Sequence, residues 1–522
     1  MSNRYHDFIE ANKQLWSKLS TSDCSNGLLV VEAKRHPVIS HANAVLACII
    51  KEAKGLNIGW IDTGDKQVQE RLASYDSDSR TVSLTNLTWL DSLFIILKFV
   101  FSSIRVLLTR DVRGFHLDGI PFGDILYDSY LARFKVATIR NVNKGVITTL
   151  FILIRNYYRF KRTLQDCGAS AVLVSHQVGL SSGVLMRTAL GLGVPVYLRT
   201  AGNNKVALNL FNSLSEIYQY PYRPRSVDMQ LLSSLGENRL NKDFQDLMAS
   251  RVLGLGDEDV GRAYNRRKKV YHSKSEFAKE FNVSEAKPFV FVMLHAFNDH
   301  PHSHFGKMLF RDYYDWFVQT LDFAKTKPDI NWVFKEHPTT AFYPTHDISL
   351  PDHFIKCPNH IVFLGVNSSF NSQSLLYLAD VVVTVLGTAG IEFAALGGIP
   401  SILTGATSYS GFGFAIEPKT KAEYFGILDN ITGINRLTQQ QQDTARKCFL
   451  YIQRYSYVPF SFSPLLTLEE TKESKLDSYY WKRVTESYKE NSDVCLAEFE
   501  KYVQCIRREN FSRLNRLQVI EH

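Results

Sequence analysis

The sequence is short of the features that would assign it a class at once. Its seven cysteines stand apart, at Cys24, Cys48, Cys167, Cys357, Cys448, Cys495 and Cys505. No CxxC pair occurs, which argues against a zinc site and a disulfide framework and makes a reducing cytoplasm the expected compartment. Basic residues cluster only in one short stretch, Arg266-Arg267-Lys268-Lys269 with Arg262 nearby, read as a surface helix, and no RNA-type aromatic motif is present. The net charge of +8 over 522 residues therefore suits an anionic ligand or an anionic membrane surface, and nucleic acid is not expected as a partner. Internal repeats and low-complexity tracts are missing. So is any stretch of ~18 uncharged apolar residues. Met1 to Ser25 is polar, so neither a spanning helix nor a secretory signal is expected. The longest apolar run, Leu93–Leu108, is interrupted by Lys98 and Arg105. It reads first as a buried helix of an N-terminal domain, and second as an interfacial helix with snorkelling basic side chains.

What is present is an alternation of strands and helices. Hydrophobic residues make up 45% of the chain, enough for two large domains or three small ones. Gly27–Ala33 reads as a strand that Pro37 breaks, Ile39–Lys51 has helical spacing, and Ile58–Ile61 is a second strand. The loop Glu32–His41 carries Lys34, Arg35, His36 and His41 and reads by default as a solvated surface loop. Residues 62–86 read as loop-rich, and an apolar helix spans 88–109. In the segment 119–133, Asp124 follows Gly123. It is either an exposed carboxylate fit for general-base or nucleophilic work or a helix cap; Asp128 is the lesser candidate. A basic, aromatic helix follows at 142–166. Ala171–Val174 is a strand ending in Ser175-His176, with a helix at Leu180–Leu192 and a strand at Val194–Leu198 closed by Arg199–Lys205. His176 at a strand's carboxyl end can serve as acid, base or acceptor ligand, or be hydrogen-bonded structure.

Residues 225–286 are charged and helical in pattern. A strand at 289–294 then ends in His295, with Asp299, His300, His302 and His304 close behind. That spacing is too crowded for a standard ligand set, so no metal is expected; His295 and Asp299 are candidate cleft contacts. An amphipathic helix follows over Asp312–Lys325, and Ile330–Leu403 organises the rest. Its first strand ends in Lys335-Glu336-His337-Pro338. Its second, Ile361–Gly365, precedes Ser368 and Ser369. Its third, Ala379–Leu386, is β-branched without polar alternation, as a strand buried on both faces should be. That strand turns at Gly387-Thr388-Ala389-Gly390 into a helix carrying Glu392. The start of such a helix offers free N–H groups and partial positive charge to a phosphate, at the carboxyl ends of strands where open α/β sheets bind ligands. Glu392, one turn in, is placed to accept from a ribose. The segment Gly405–Gly413 reads as a mobile loop over that site.

The Lys335–Pro338 motif, the Ser368-Ser369 pair, Gly387–Glu392 and Gly398-Ile399-Pro400 together resemble bacterial capsule and surface polysaccharide synthesis proteins. That group includes the Kdo transferases, of GT-B type. The resemblance covers roughly residues 115–420. It implies two Rossmann-like α/β domains facing across a cleft, with C-terminal helices. The implied layout is an acceptor-side domain at 1–225, a helical linker at 226–286, a nucleotide-sugar domain at 287–435 and a helical region at 436–522 that crosses back. It implies Leloir glycosyl transfer, favouring a CMP-activated acidic sugar such as Kdo, to a surface polysaccharide or lipopolysaccharide acceptor. On this reading Lys335, His337, Ser368, Ser369, Gly387, Thr388 and Glu392 hold the donor, Asp124 or His176 serves catalysis, and no cofactor is needed. The acceptor is a glycan or lipid-linked glycan, which brings the protein to the cytoplasmic face of the inner membrane. The alternatives are a polyol-phosphate transferase and a non-catalytic glycan-assembly protein.

Overall fold

The structure, a computed structural model, describes residues 2–18, 26–255, 258–304, 306–466 and 473–520. Cys24, and residues 467–472 of the predicted C-terminal helical region, lie outside the described residues. The chain forms two compact units. Unit 1 comprises Met1–Leu126, Val146–Ile217 and Tyr455–His522; unit 2 comprises Tyr127–Gly145 and Tyr218–Arg454. The stretch 226–286, expected as a linker, is counted within unit 2.

Unit 1 opens with helix α1 (Ser2–Trp16), strand β1 (Leu28–Val31), α2 (Pro37–Lys54), β2 (Asn57–Ile61), α3 (Lys66–Ala73) and β3 (Arg80–Val82). The apolar helix α4 (Trp89–Thr109) and a small hairpin of β4 (His116–Leu117) and β5 (Ile120–Pro121) follow. Helix α5 (Gly123–Phe134) carries the chain out of the unit, and α6 (Lys144–Asp166) carries it back. Then come β6 (Ala169–Val174), α7 (Val184–Gly191), β7 (Val196–Ala201) and β8 (Lys205–Phe211). The sheet runs β8-β7-β6-β1-β2-β3, parallel except for β8. The late strands Val458–Pro459 and Arg513–Leu514 both pair with β8. All four side chains of β1 are buried, as two-sided cover of a parallel sheet requires. Helices Glu473–Glu490 and Ser492–Arg507 close one face by packing on α1 and α2.

Three local expectations change. Residues 62–86 hold α3 and β3, because Asp65 caps α3 by accepting from the N–H groups of Gln67 and Val68. Pro37 does not break β1, which has already ended; it opens α2, where a missing N–H costs nothing. The segment Arg199–Lys205 is part of a tight reversal into β8, with Ala201 in the left-handed region (φ 61°).

Unit 2 contains α8 (Ser226–Ser234), α9 (Glu237–Val252), α10 (Glu258–Ala263), α11 (Lys274–Phe281), β9 (Phe289–Met293), α12 (Tyr313–Lys325), β10 (Asn331–Lys335) and β11 (Ile361–Leu364). It continues with α13 (Leu375–Leu378), β12 (Val381–Thr384), α14 (Ala389–Gly397), β13 (Ser401–Leu403), β14 (Ala415–Ile416), α15 (Lys421–Asp429) and α16 (Gln439–Leu450). Its sheet is wholly parallel in the order β11-β10-β9-β12-β13-β14. Counting from β9, that is 3-2-1-4-5-6, the doubly wound order. One core of Phe, Trp and Val side chains from β9, β10, β12 and α12 fills one face, and a second from α11, β11 and α13 fills the other.

Candidate functional site

In a doubly wound sheet the chain leaves its first strand to opposite sides, and the carboxyl ends of strands 1 and 4 part to leave a crevice. In unit 2 these are β9 and β12. A cavity of about 180 Å³ opens there, lined among others by His295 from the end of β9, Lys335–Pro338 from the end of β10, and Thr384, Gly387, Thr388 and Ala389 from the turn between β12 and α14. Arg251, Tyr264, Ser372, Glu392 and Gln453 complete the polar lining.

Lys335 is the decisive side chain. It is buried, and burial together with the nearby Lys268 charge pushes its ammonium down to about 8. Among the described residues its ammonium makes no hydrogen bond and no ion pair. A buried cation facing a cavity without a salt bridge is a ready counter-charge for an anion.

The two imidazoles stack 6.3 Å apart, nearly parallel at 12°. Burial keeps both neutral, pushing His295 down to about 3 and His337 down to about 4. Nδ1 of His337 accepts from the Thr339 N–H (3.2 Å), which leaves its proton on Nε2. Nε2 of His295 accepts from the Leu386 N–H (3.4 Å) and meets Thr384 Oγ1 (3.1 Å). Thr388, the N-cap of α14, makes no side-chain cap and lines the cavity with Ala389, while the Gly390 and Ile391 N–H groups are bonded to the Gly387 and Thr388 carbonyls (3.1 and 3.2 Å). Gly387 offers its carbonyl to the Tyr409 hydroxyl (2.6 Å). Gly390 is needed for the same contact, since a Cβ there would stand 2.5 Å from that hydroxyl.

Several expected contacts fall differently. Glu392 lines the cavity, but its carboxylate accepts from Arg251 Nε (2.8 Å) and Nη2 (2.9 Å) and from the Tyr264 hydroxyl (2.6 Å). It anchors α9 and α10 over the site rather than standing bare for a ribose. Ser368 and Ser369 are not among the lining residues; Ser372 is. Ser368 and Ser369 lie in the turn directly after the edge strand β11, two strands from the crevice, and the chain leaving β11 reaches the cavity only at Ser372. Asp299 is also absent from the lining. The segment Gly405–Gly413 is anchored, with Tyr409 buried and Gly405 bridged to Met308. Among the described residues no group of three or more His, Cys, Asp or Glu is placed to hold a metal.

Unit 1 has its own crevice, between the carboxyl ends of β1 and β6. Glu32 fills it. The carboxylate accepts from Ser175 Oγ (2.8 Å), Ser182 Oγ (2.7 Å) and Ser181 Oγ (3.2 Å) and pairs with Lys34 (2.6 Å). Burial works to raise its pKa, but Lys34 and the serines outweigh it and hold the group ionised. His176 is exposed beside this cluster. Partial desolvation and the charges of Arg199 and Lys34 favour its neutral form. Sequence reasoning passed over Glu32, because its serine partners lie about 150 residues away. His41, in the same predicted loop, is fully buried between Tyr75 (2.5 Å) and the Phe462 carbonyl (2.8 Å).

Asp124 is not on an exposed loop. It is buried on α5 and held by Arg187 of α7 through two bonds of 2.6 Å. Asp128 is likewise committed, accepting from the His302 and Ser303 N–H groups (3.0 and 2.7 Å).

No family model matches the chain, and no curated protein matches it in sequence. Likenesses to solved structures exist. The UDP-GlcNAc 2-epimerase from Neisseria meningitidis is 11% identical over 81% of this chain and 95% of its own, with a TM-score of 0.24. MurG of Acinetobacter baumannii is 11% identical over the same shares, with a TM-score of 0.25. Anabaena Alr3699/HepE, in complex with UDP and glucose, is 13% identical over 82% of this chain and 94% of its own, with a TM-score of 0.27. The α/β class with two Rossmann-like units stands on the strand orders of this chain itself.

Proposed function

We propose that the chain is a Leloir-type glycosyltransferase and that the crevice of unit 2 binds the phosphate of a nucleotide-sugar donor. The observation that carries this is Lys335, a buried ammonium without a salt bridge, beside the start of α14 in a doubly wound sheet. In the reaction the bond from the anomeric carbon to the phosphate oxygen breaks, and a bond to the acceptor hydroxyl oxygen forms. Negative charge grows on the departing phosphate. Lys335, the start of α14 and Nε2–H of His337 supply fixed donors for it. The acceptor hydroxyl must give its proton to a base. Neutral, exposed His176 has the right chemistry. Asp124, locked to Arg187, does not.

The favoured donor is a CMP-activated acidic sugar such as Kdo, and the favoured acceptor a surface polysaccharide or lipopolysaccharide. The support is the resemblance of Lys335–Pro338 and Gly387–Glu392 to the capsule-type enzymes, together with a cavity that Lys335 lines as a buried cation, beside Glu336, whose carboxylate accepts from the Val366 N–H. The test is thermal unfolding with CMP, CDP, UDP or GDP, for wild type, His337→Ala and Lys335→Met. A ligand at about 100 times its Kd adds ~2.7 kcal/mol to the native state. The expected result is a clear rise in Tm with CMP that both variants lose. A rise with UDP or GDP in its place would replace the donor, a rise with CDP alone would favour polyol-phosphate transfer, and no rise with any nucleotide would overturn the reading.

A further inference from the structure

Helix α4 is inverted relative to a normal surface helix. Ile95, Ser103 and Val106 form the buried seam, while eleven large apolar side chains are exposed by 45% or more, including Trp89 (74%), Phe101 (70%) and Leu108 (80%). The expectation of a buried helix is therefore corrected. The helix is long and apolar enough to cross a membrane, yet only 17% of its apolar window is buried. A contiguous apolar face of this size exceeds what a soluble monomer ordinarily leaves bare.

From this face we infer that unit 1 docks on an anionic lipid bilayer, with α4 lying in the plane of the interface. The charges on the helix favour lipid over a second protein surface. The one carboxylate of α4, Asp91, is turned away into the Thr88 cap and a bond to Arg162 of α6. The outward face is left with Arg105, which falls between Phe101 and Leu108 at helical spacing. Arg110 caps the helix C-terminus, exposed. Among the described residues neither arginine forms an ion pair. On α6, Arg155 and Arg159 share the row that carries Arg162. The outward face of α4 in a second copy would bring Arg105 no carboxylate, the nearest exposed one being Asp111 beyond the C-terminal cap, whereas anionic headgroups would meet both arginines with negative charge. A Trp-, Phe- and Leu-rich helix with arginines and no outward acid is the pattern of an interfacial helix.

Crossing the bilayer is disfavoured by the same contacts. Phe94 packs on Tyr158 and Phe99 on Phe151, at centroid distances of 5.3 and 5.2 Å. Lys98 pairs with Asp118 at 3.1 Å. Spanning would strip all of these, and in-plane docking keeps them.

The test is flotation of the full chain with phosphatidylcholine vesicles, with and without about one-third phosphatidylglycerol. The variants are Phe101→Glu with Leu108→Glu, the pair Arg105→Glu with Arg110→Glu, and Ile355→Glu as a control at another exposed apolar position (74%). Each variant's Tm is checked against wild type; the altered side chains are exposed, so folding is expected to survive. Binding to the anionic vesicles at least tenfold above the neutral ones is expected, lost in both double variants and kept in the control. No flotation of wild type with either vesicle would overturn the inference. So would a wild-type dimer that dissolves in Phe101→Glu/Leu108→Glu, since that would assign the face to a second copy.

Discussion

One buried imidazole, His41, and two half-buried ones lining the cavity, His295 and His337, weaken the fold in acid. His41, His295 and His337 are pushed down to about 4, 3 and 4 because burial penalises their charged forms. Their unfolded counterparts take up protons near pH 6.5, while the native ones resist. The unfolded state therefore binds more protons as pH falls below 6.5, and stability is lost from there down toward pH 4. For His41, which is fully buried, the loss at pH 5 is about 2 kcal/mol, and the two cavity histidines add to it. Urea unfolding at pH 7 and pH 5 should show this loss, and His41→Gln should shrink it. Of these residues, His295 and His337 were legible as strand-end side chains. The role of Glu392 was not, because its partner Arg251 lies 141 residues away on a helix with no local signal. The reach of Tyr409 to Gly387 was hidden in the same way.

At the level of elements, the buried strands could be read because β1, β9 and β12 are apolar without alternation, the mark of a parallel sheet covered on both faces. The short β3 and the returning β8 could not. β3 has only three residues, and β8, with only Lys205 and Asn209 polar, returns directly from β7 as its antiparallel neighbour. The burial of α4 was misjudged because apolarity shows that a helix seeks cover without naming what covers it. The junction of α5 with α7 shows the opposite error, a carboxylate taken for chemistry that is fixed in structure. Removing one partner of a buried ion pair leaves the other charge stranded, at a cost of about 3–5 kcal/mol. Asp124→Ala should therefore lower stability by about that much in chemical denaturation while leaving CMP binding to unit 2 intact. Loss of turnover in a variant of unchanged stability would instead return Asp124 to the catalytic site.

Across the whole chain, the same winding appears twice. Both sheets place their first and fourth parallel strands side by side, and in both the opened crevice collects the polar groups: Glu32 with its serines and Lys34 in unit 1, Lys335 with two imidazoles and a helix start in unit 2. Both crevices arise because strand order, not local sequence, decides where the chain parts. This is why Lys335 and His337 are brought to one cavity while Ser368 and Ser369, on the same kind of strand end, are carried to the edge. The central claim is that a donor phosphate binds in the unit 2 crevice. Its most direct test is photo-crosslinking of the full chain with a photoreactive pyrimidine nucleotide, followed by peptide mapping. The account predicts label on peptides spanning 289–300, 331–345 or 381–397, abolished by excess CMP and by Lys335→Met. Label confined to other parts of the chain, such as the groove lined by Phe244 and Arg446, would contradict it.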